Sequence, residues 1–458
     1  MKYFFVLGKN PTLSVAELSA VFRARAEETK SPIGDLVSND IFVLETNKEI
    51  NAKGLIKKLG GIIKIGIVDD EFRIKNNKEL LSESVKLIDV DKINGKFKFG
   101  ISYYGKNKFD IRSLGMEIKK YLRKKSVGCR WVTSREPTLS SVVVEQNKLA
   151  DKGIEIVLVK QRDKILIGRT LAVQPFKELS FRDYGRPARD DRSGMIPPKL
   201  AQIMINLAAV ETRHCLVSTG ERRDNIAETR HCLVSTGERR DNIAETRHCL
   251  VSTGERRDNI AETRHAPSLL DPFCGSGTIL TEALLMGYGN VIGADISEKA
   301  VEDTKKNIAW IKNNFQFSIF NFQLFNKSVL ELSKFIKPKS IDAVVTEPYL
   351  GPQRGKVDFN KTIKELEDLY GKSLAEFKKV LKPGGRVVMV WPVFQVTSNR
   401  QPETKRVTPD INGFKIVNPI LSDLRGNAII KLTDRNTIIY GRKGQKVWRE
   451  IVVLEATQ

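Results

Sequence analysis

Apolar positions along the chain fall into two registers, and the alternation between them predicts its elements. Short apolar runs at residues 3–7 (YFFVL) and 41–44 (IFVL) predict strands, while the three-to-four spacing in 15–22 (VAELSAVF) predicts a helix between them. Residues 96–103 (KFKFGISY) alternate with period two, which predicts a strand with lysines on one face and apolar groups on the other. Helical spacing then covers 113–125, and runs at 142–145 (VVVE) and 154–159 (IEIVLV) read as further strands. This first part is an α+β arrangement.

The second part changes character. A helix starts at Pro197 and Pro198, residues suited to a first helical turn. An apolar run ends at Asp271, a Gly-Ser-Gly turn follows at 275–277, and a helical pattern opens at Thr278. Strands are predicted at 291–295 and 320–325, with a helix over 297–311 that opens on Ser297 as a cap. A fourth strand reads through 340–346, a helix through 374–381, a fifth strand through 386–391, and an antiparallel hairpin through 437–442 and 447–454. Strands alternating with helices imply a doubly wound α/β sheet with an antiparallel edge.

Between the two lies a repeat. The 17 residues 211–227 (ETRHCLVSTGERRDNIA) recur identically at 228–244 and 245–261, followed by the fragment 262–265. Equivalent positions drift by roughly 100° per copy on a helix, and an odd period flips faces on a strand, so no continuous apolar stripe forms. All four histidines and three of the five cysteines lie there. Identical copying multiplies every residue equally, so the recurring His-Cys pairs are no sign of ligand selection, and no metal site is expected. A tandem duplication tolerated in a surface loop fits best.

Charge sharpens the picture. The chain carries a formal +22, and because each repeat has three Arg and three acids, that excess belongs to the other residues. Residues 92–135 hold thirteen Lys or Arg against Asp110 and Glu117, interleaved with aromatics such as Phe97, Tyr104, Tyr121 and Trp131. So local an excess, between balanced neighbours, points to a phosphate-binding surface and a nucleic-acid partner. No run of eighteen apolar residues or signal-peptide pattern occurs, and the cysteines make no disulfide framework, which predicts a cytoplasmic protein without membrane association.

The candidate chemistry sits around the glycine turn. Glycines allow close backbone approach to a ligand, and a strand-terminal acid such as Asp295 can hold ribose hydroxyls. A dinucleotide fingerprint would need a third glycine, which is missing, and Asp271 precedes the loop where a phosphate would be repelled. An acid there suits a cationic or zwitterionic ligand such as S-adenosylmethionine. The string 271–278 (DPFCGSGT) resembles the first motif of class I methyltransferases, in the form found in RNA and DNA amino-methyltransferases. The resemblance implies a Rossmann-like sheet and cofactor contacts from Asp271, Phe273, Gly275, Gly277, Thr278, Asp295 and Ile296.

Other segments carry the same resemblance. Residues 72–172 are similar to a THUMP domain, and 5–18 (FVLGKNPTLSVAEL) to the ferredoxin-like piece that accompanies it. Residues 179–201, with an Arg/Asp run and GMIPPK, look like the family's segment before the first motif, which helps close the pocket and brings Pro198 to the cofactor. The family is the THUMP-containing tRNA guanine-N2 methyltransferases of archaea, with eukaryotic relatives. It implies domains at 1–71, 72–172 and 173–458, the last interrupted at 211–265. It also implies tRNA binding by the THUMP part, here through Lys106, Lys108, Arg112, Lys119, Lys120, Arg123, Lys124, Lys125 and Arg130. The acid that the family places after the third strand is replaced by Asn326.

The fourth strand runs into Thr346, Glu347, Pro348 and Tyr349, where amino-methyltransferases carry Asp/Asn/Ser-Pro-Pro-aromatic. An exocyclic amine is a poor nucleophile because its lone pair is delocalised, so a side-chain acceptor and a backbone carbonyl must hold its N–H groups while the aromatic stacks on the base. Two registers are open. Either Thr346 replaces the acid and Glu347 the first proline, or Glu347 is the acid and one proline is missing. The expected function is S-adenosylmethionine-dependent N2-methylation of a tRNA guanosine. The alternatives are methylation of amino groups on rRNA or DNA, and an RNA-binding protein whose catalytic loop has decayed.

Overall fold

A computed structural model describes residues 1–23, 34–73, 77–106, 109–189, 195–208, 267–315, 321–352, 358–398, 401–411, 413–442 and 444–457. The repeat, Lys108 and residues 190–194 of the segment before the glycine turn therefore lie outside the described residues. The described residues before and after the repeat pack as one compact unit. No helix among the described residues is long and apolar enough to cross a membrane.

The N-terminal half is built on one sheet. Its elements are β1 (Lys2–Leu7), α1 (Pro11–Arg23), β2 (Asp35–Leu36), β3 (Ile41–Glu45), α2 (Ala52–Ile56), β4 (Ile62–Arg73), α3 (Asn77–Lys86), β5 (Phe97–Tyr104), α4 (Ile111–Lys124), β6 (Cys129–Val132), α5 (Ser141–Gln146), β7 (Ile154–Gln161) and β8 (Lys164–Val173). The strand order is β2-β3-β1-β4-β8-β7-β5-β6. The long β4 pairs with both β1 and β8, so the two expected N-terminal pieces share a sheet, and the division drawn at 71/72 falls inside a strand.

One expectation is corrected here and another is qualified. Residues 142–145 are not a strand but the core of α5, whose N-terminus is capped by the Ser140 hydroxyl accepting from the Val143 N–H at 3.3 Å. Three consecutive valines favour a strand by propensity, but burial of Val144 against Leu139 and Leu149 overrides it. That same segment covers part of the second face of β5: the expected alternation holds, with Phe97, Phe99 and Ile101 in one buried cluster and Lys96 exposed, but Lys98 is only half-exposed and Ser102 and Tyr104 on its face are buried. Beneath it Glu155 accepts from Lys64, Ser102 and Thr170, a fully satisfied polar cluster.

The C-terminal half contains α6 (Phe176–Tyr184), α7 (Pro198–Leu207), β9 (Ser268–Asp271), α8 (Thr278–Met286), β10 (Asn290–Asp295), α9 (Glu298–Asn314), β11 (Asn321–Asn326), α10 (Leu332–Phe335), β12 (Ile341–Thr346), α11 (Phe359–Val380), β13 (Leu381–Ser398), β14 (Gln401–Arg406), β15 (Phe414–Ile416), β16 (Ile438–Tyr440) and β17 (Val447–Ala456). The sheet runs β11-β10-β9-β12-β13-β17-β15, with β14 on β13 and β16 on β17. Strands β9 to β13 are parallel, and β17 is antiparallel to β13. The expected hairpin forms, Ile438 facing Ile451, but β17 is inside the sheet and β15 and β16 border it. The chain leaves β9 toward β10 on one side and β12 on the other, which opens a crevice at their C-terminal ends. Helix α11 begins 15 residues before the expected start, at an Asp358 cap whose carboxylate accepts from the Asn360 and Lys361 N–H groups.

Helix α7 joins the halves. Leu200, Met204 and Leu207 belong to one buried cluster that also contains Leu13 and Val15 of α1 and Leu280 and Ala283 of α8. Burial of such side chains is worth about 1.5–3 kcal/mol each. At the seam Glu17 is fully buried, accepting from the Gly60 and Gly61 N–H groups and the Asn206 amide. Burial pushes its carboxyl up to about 7 against the pull of those donors.

Candidate active site

The turn after β9 is shaped by two glycines with positive φ, Gly275 (+52°) and Gly277 (+81°). A Cβ at Gly277 would meet Thr304 at 2.8 Å, whereas one at Gly275 would meet nothing within 4 Å, so the loop backbone faces open space there. Asp295, at the end of β10, accepts from the Gly275 N–H and the Ser297 N–H, both at 2.9 Å. A carboxylate has about four acceptor sites, so capacity remains for ligand hydroxyls. Ile296 is 79% exposed beside it. Asn326, where an acid was expected, donates its amide to the carbonyls of Asp295 and Ile296, at 3.0 and 2.9 Å, and so holds the strand end in place.

Asp271 is buried, accepting from the Thr346 hydroxyl at 2.7 Å and the Phe273 N–H at 3.3 Å. Burial pushes its carboxyl up to about 7, and Asp295 and Glu347 push in the same direction. Its acceptor capacity thus goes partly into tying β9 to β12. Phe273 is half-buried against the second apolar cluster of the sheet.

The segment before the turn closes over it. Arg182 of α6 forms a buried two-point pair with Glu282 of α8 at 2.7 and 3.1 Å, and Gln202 of α7 donates to the same carboxylate. Arg186 donates to the Thr278 hydroxyl. Asn307 of α9 exchanges hydrogen bonds with the Ala188 backbone and donates to the Ser276 carbonyl at 2.8 Å. The Met195 sulfur lies 3.5 Å from the Ser276 hydroxyl, and Pro198 is buried in the first turn of α7.

The 346–349 loop leaves β12 at the same end of the sheet. Thr346 is fully buried with its hydroxyl on Asp271. Glu347 is gripped by Nε and Nη2 of Arg449 from β17. Pro348 is buried, while the Tyr349 ring is 58% exposed and its backbone carbonyl accepts from the Tyr370 hydroxyl at 2.6 Å. Among the basic residues, Lys106, Arg112, Lys120, Arg123, Lys124, Lys125 and Arg130 are exposed and Lys119 half-buried. Asp110 caps α4 by accepting from the Ser113 N–H, and the buried Leu114, Ile118 and Leu122 turn the basic face outward.

Arg449, Asn307 and Thr304 were not singled out in the sequence. Thr304 holds the Gly275 carbonyl at 2.8 Å. A polar residue at a repeated inward position of α9, three residues before Asn307, was the only available signal.

An open parallel sheet with a glycine turn after its first strand, and acids at the ends of the first two, defines a class I methyltransferase fold. Residues 265–448 match the family model described as a methyltransferase domain. The chain is similar to the tRNA (guanine(10)-N2)-dimethyltransferase of Methanothermobacter thermautotrophicus, 33% identical over 124 residues, which are 27% of this chain and 32% of the relative. A protein of the same name from Pyrococcus abyssi is 28% identical over 124 residues, 27% of this chain and 33% of the relative. The chain therefore spans about a third of the length of these curated relatives. Among solved structures, TrmN from Thermus thermophilus superposes with a TM-score of 0.48 at 14% identity, covering 100% of both chains.

Proposed function

We propose that the chain is an S-adenosylmethionine-dependent RNA methyltransferase acting on the N2 amine of a guanosine in tRNA. The observation that carries this reading is the Thr346–Asp271 hydrogen bond, which joins the 346–349 loop to the glycine-turn strand at one end of the sheet. The residues present suit the cofactor: open space at Gly275, spare acceptor capacity on Asp295 and an exposed apolar side chain at Ile296. Asp295 would hold ribose hydroxyls, and Gly275 and Gly277 would let the backbone approach. S-adenosylmethionine supplies an electrophilic methyl group on a sulfonium sulfur.

The chain's own task is to hold the amine. Glu347 is the acceptor for one of its N–H groups, because Thr346 is buried and already donates to Asp271. Arg449 fixes the carboxylate at two points, so the amine meets an oriented acceptor. The exposed Tyr349 ring offers a stacking face to a base turned out of its helix, and Tyr370 anchors its backbone. Residues 72–172 are read as the THUMP-like part that binds tRNA through the basic face of α4, between units at 1–71 and 173–458. The activity named for the relatives supports tRNA over DNA, and the exposed Lys106, Arg112, Lys120, Arg123, Lys124, Lys125 and Arg130 suit a phosphate backbone.

Incubation with methyl-labelled S-adenosylmethionine and unmodified tRNA transcripts, followed by nucleoside mass spectrometry, tests this. N2-methylguanosine or its dimethyl form is expected. Label on adenosine would change the base assignment, and cofactor binding with no transfer would favour a decayed catalytic loop.

A further inference from the structure

A second concavity lies beside the site described above, sharing Pro198 and part of the 179–201 segment with it. Its volume is about 570 Å³, within the roughly 300–1,000 Å³ of small-molecule sites. None of its lining comes from the 275–278 turn, Asp295 or the 346–349 loop. It opens between the N-terminal half, which contributes Lys9, and the C-terminal half, which contributes Lys199 and Arg442. None of these three side chains has an ion-pair or hydrogen-bond partner among the described residues. Lys199 reaches solvent, yet desolvation at the cavity wall lowers its ammonium below the ordinary value, so its charge is poorly hydrated as well as unpaired. The carboxylate in the lining, Asp183, is directed to Arg186 at 3.6 Å. Two aromatic residues, Phe176 and Tyr440, complete the set.

Three cations around a nucleotide-sized space, with aromatic faces beside them, match the chemistry of a phosphodiester and its base. Position narrows the source. Tyr440 lies directly opposite Arg449 across the β16–β17 pair, so the two share a sheet face, and Arg449 holds Glu347. The cavity is thus one strand pair away from the acceptor of the target amine. We propose that it takes an RNA nucleotide flanking the methylated one, its phosphate held by Lys9, Lys199 and Arg442. This assignment rests on the RNA-methylation reading and gives that reading a second point of engagement with the substrate.

The test uses the full chain, a tRNA transcript and a fluorescent ten-nucleotide single-stranded RNA. Binding is measured across salt concentrations for the native protein, for Lys9→Ala and Arg442→Ala, and for the triple variant Lys9→Glu, Lys199→Glu, Arg442→Glu. The triple variant is expected to bind both RNAs at least about tenfold more weakly, with a salt slope flatter by about 0.7 for each phosphate no longer neutralised. The Lys9→Ala and Arg442→Ala variants, at residues outside the 179–201 segment, should keep the native S-adenosylmethionine affinity in calorimetry. If the triple variant does not fold, the two alanine variants carry the test, because both side chains are exposed and each should flatten the slope on its own. An unchanged slope in folded variants overturns the cavity assignment while leaving methyl transfer by the native protein intact. Displacement of the RNA by guanosine monophosphate, abolished by the same variants, would assign the cavity to a free nucleotide and overturn the RNA source. Failure of the native protein to bind either RNA would overturn both this assignment and the tRNA reading.

Discussion

Arg449 and Glu347 stand 102 residues apart in the chain and meet side chain to side chain beneath the Tyr349 loop. Both are nearly buried, at 12% and 11% exposure, so neither charge has much water to fall back on. In the proposed reaction this pair gives the acceptor role to Glu347, while Thr346 faces inward with its hydroxyl on Asp271.

Arg449→Ala should therefore act on turnover more than on cofactor binding. Removing one partner of a buried pair costs about 3–5 kcal/mol because the other charge is left uncompensated. The loop should lose its set position, with kcat falling by about a hundredfold and S-adenosylmethionine affinity unchanged. Arg449→Lys, which keeps the charge but loses the two-point grip, should recover part of the rate. A lowered melting temperature with unaltered kcat would make Arg449 a structural residue only.

Asp295 offers the corresponding test for the cofactor. Asp295→Ala removes the acceptor proposed for ribose hydroxyls and also frees the Gly275 and Ser297 N–H groups. Hydrogen bonds to a charged group are worth about 1.5–3 kcal/mol, so affinity should fall by about ten- to a hundredfold in calorimetry. Asp295→Asn keeps an acceptor for one N–H and should fall between the two. Unchanged affinity in a folded Asp295→Ala protein would remove the residue from the site.

What the sequence made legible was local. The Ser297 cap of α9, the strand-turn-helix around Gly275 and the β16–β17 hairpin follow from neighbours within a few residues, and each forms as expected. What escaped depended on partners far away. Whether 142–145 became strand or helix was decided by Leu139 and Leu149 receiving Val144 and by the face of β5 needing cover. Nothing near Glu347 announces Arg449, which sits in an otherwise strand-like run on β17. The closure of the 179–201 segment over the glycine turn was expected from resemblance, but its agents, Asn307 and Glu282, lie on helices whose exposed faces gave no hint of them.

Glu17 predicts a pH dependence at the seam of the two halves. Its carboxyl is raised from an ordinary 4.5 to about 7, so between those values the folded chain binds more protons than the unfolded one. Stability from this group therefore falls as pH rises through that window and is level above it, with a limiting slope of about 1.4 kcal/mol per pH unit. Glu17→Gln, which cannot ionise, should abolish that part of the slope. Melting temperatures of both proteins at pH 5 and pH 7 check it: the native protein should lose more on going to pH 7 than the variant does. An equal loss in both would mean that Gly60, Gly61 and Asn206 keep Glu17 ionised across the range.

The basic face of α4 carries the last expectation. Lys119, Lys120, Lys124 and Lys125 lie away from the buried Leu114, Ile118 and Leu122, so replacing all four by alanine leaves the packed side of the helix intact. Alanine is also the best helix former, and the Asp110 cap is untouched, so the melting temperature should hardly move. If these lysines lie along tRNA phosphates, the quadruple variant should bind tRNA more weakly at low salt. Its plot of log affinity against log salt should flatten by up to about 0.9 for each duplex phosphate left without its lysine. Methyl transfer at saturating tRNA should stay near the native rate, because the four residues sit on α4 and its C-cap in the N-terminal half and not at the crevice of β9 and β12. An unchanged salt slope would make this helix an ordinary solvated surface and move the search for the RNA track to Arg112, Arg123 and Arg130, which are exposed on α4 and the edge strand β6.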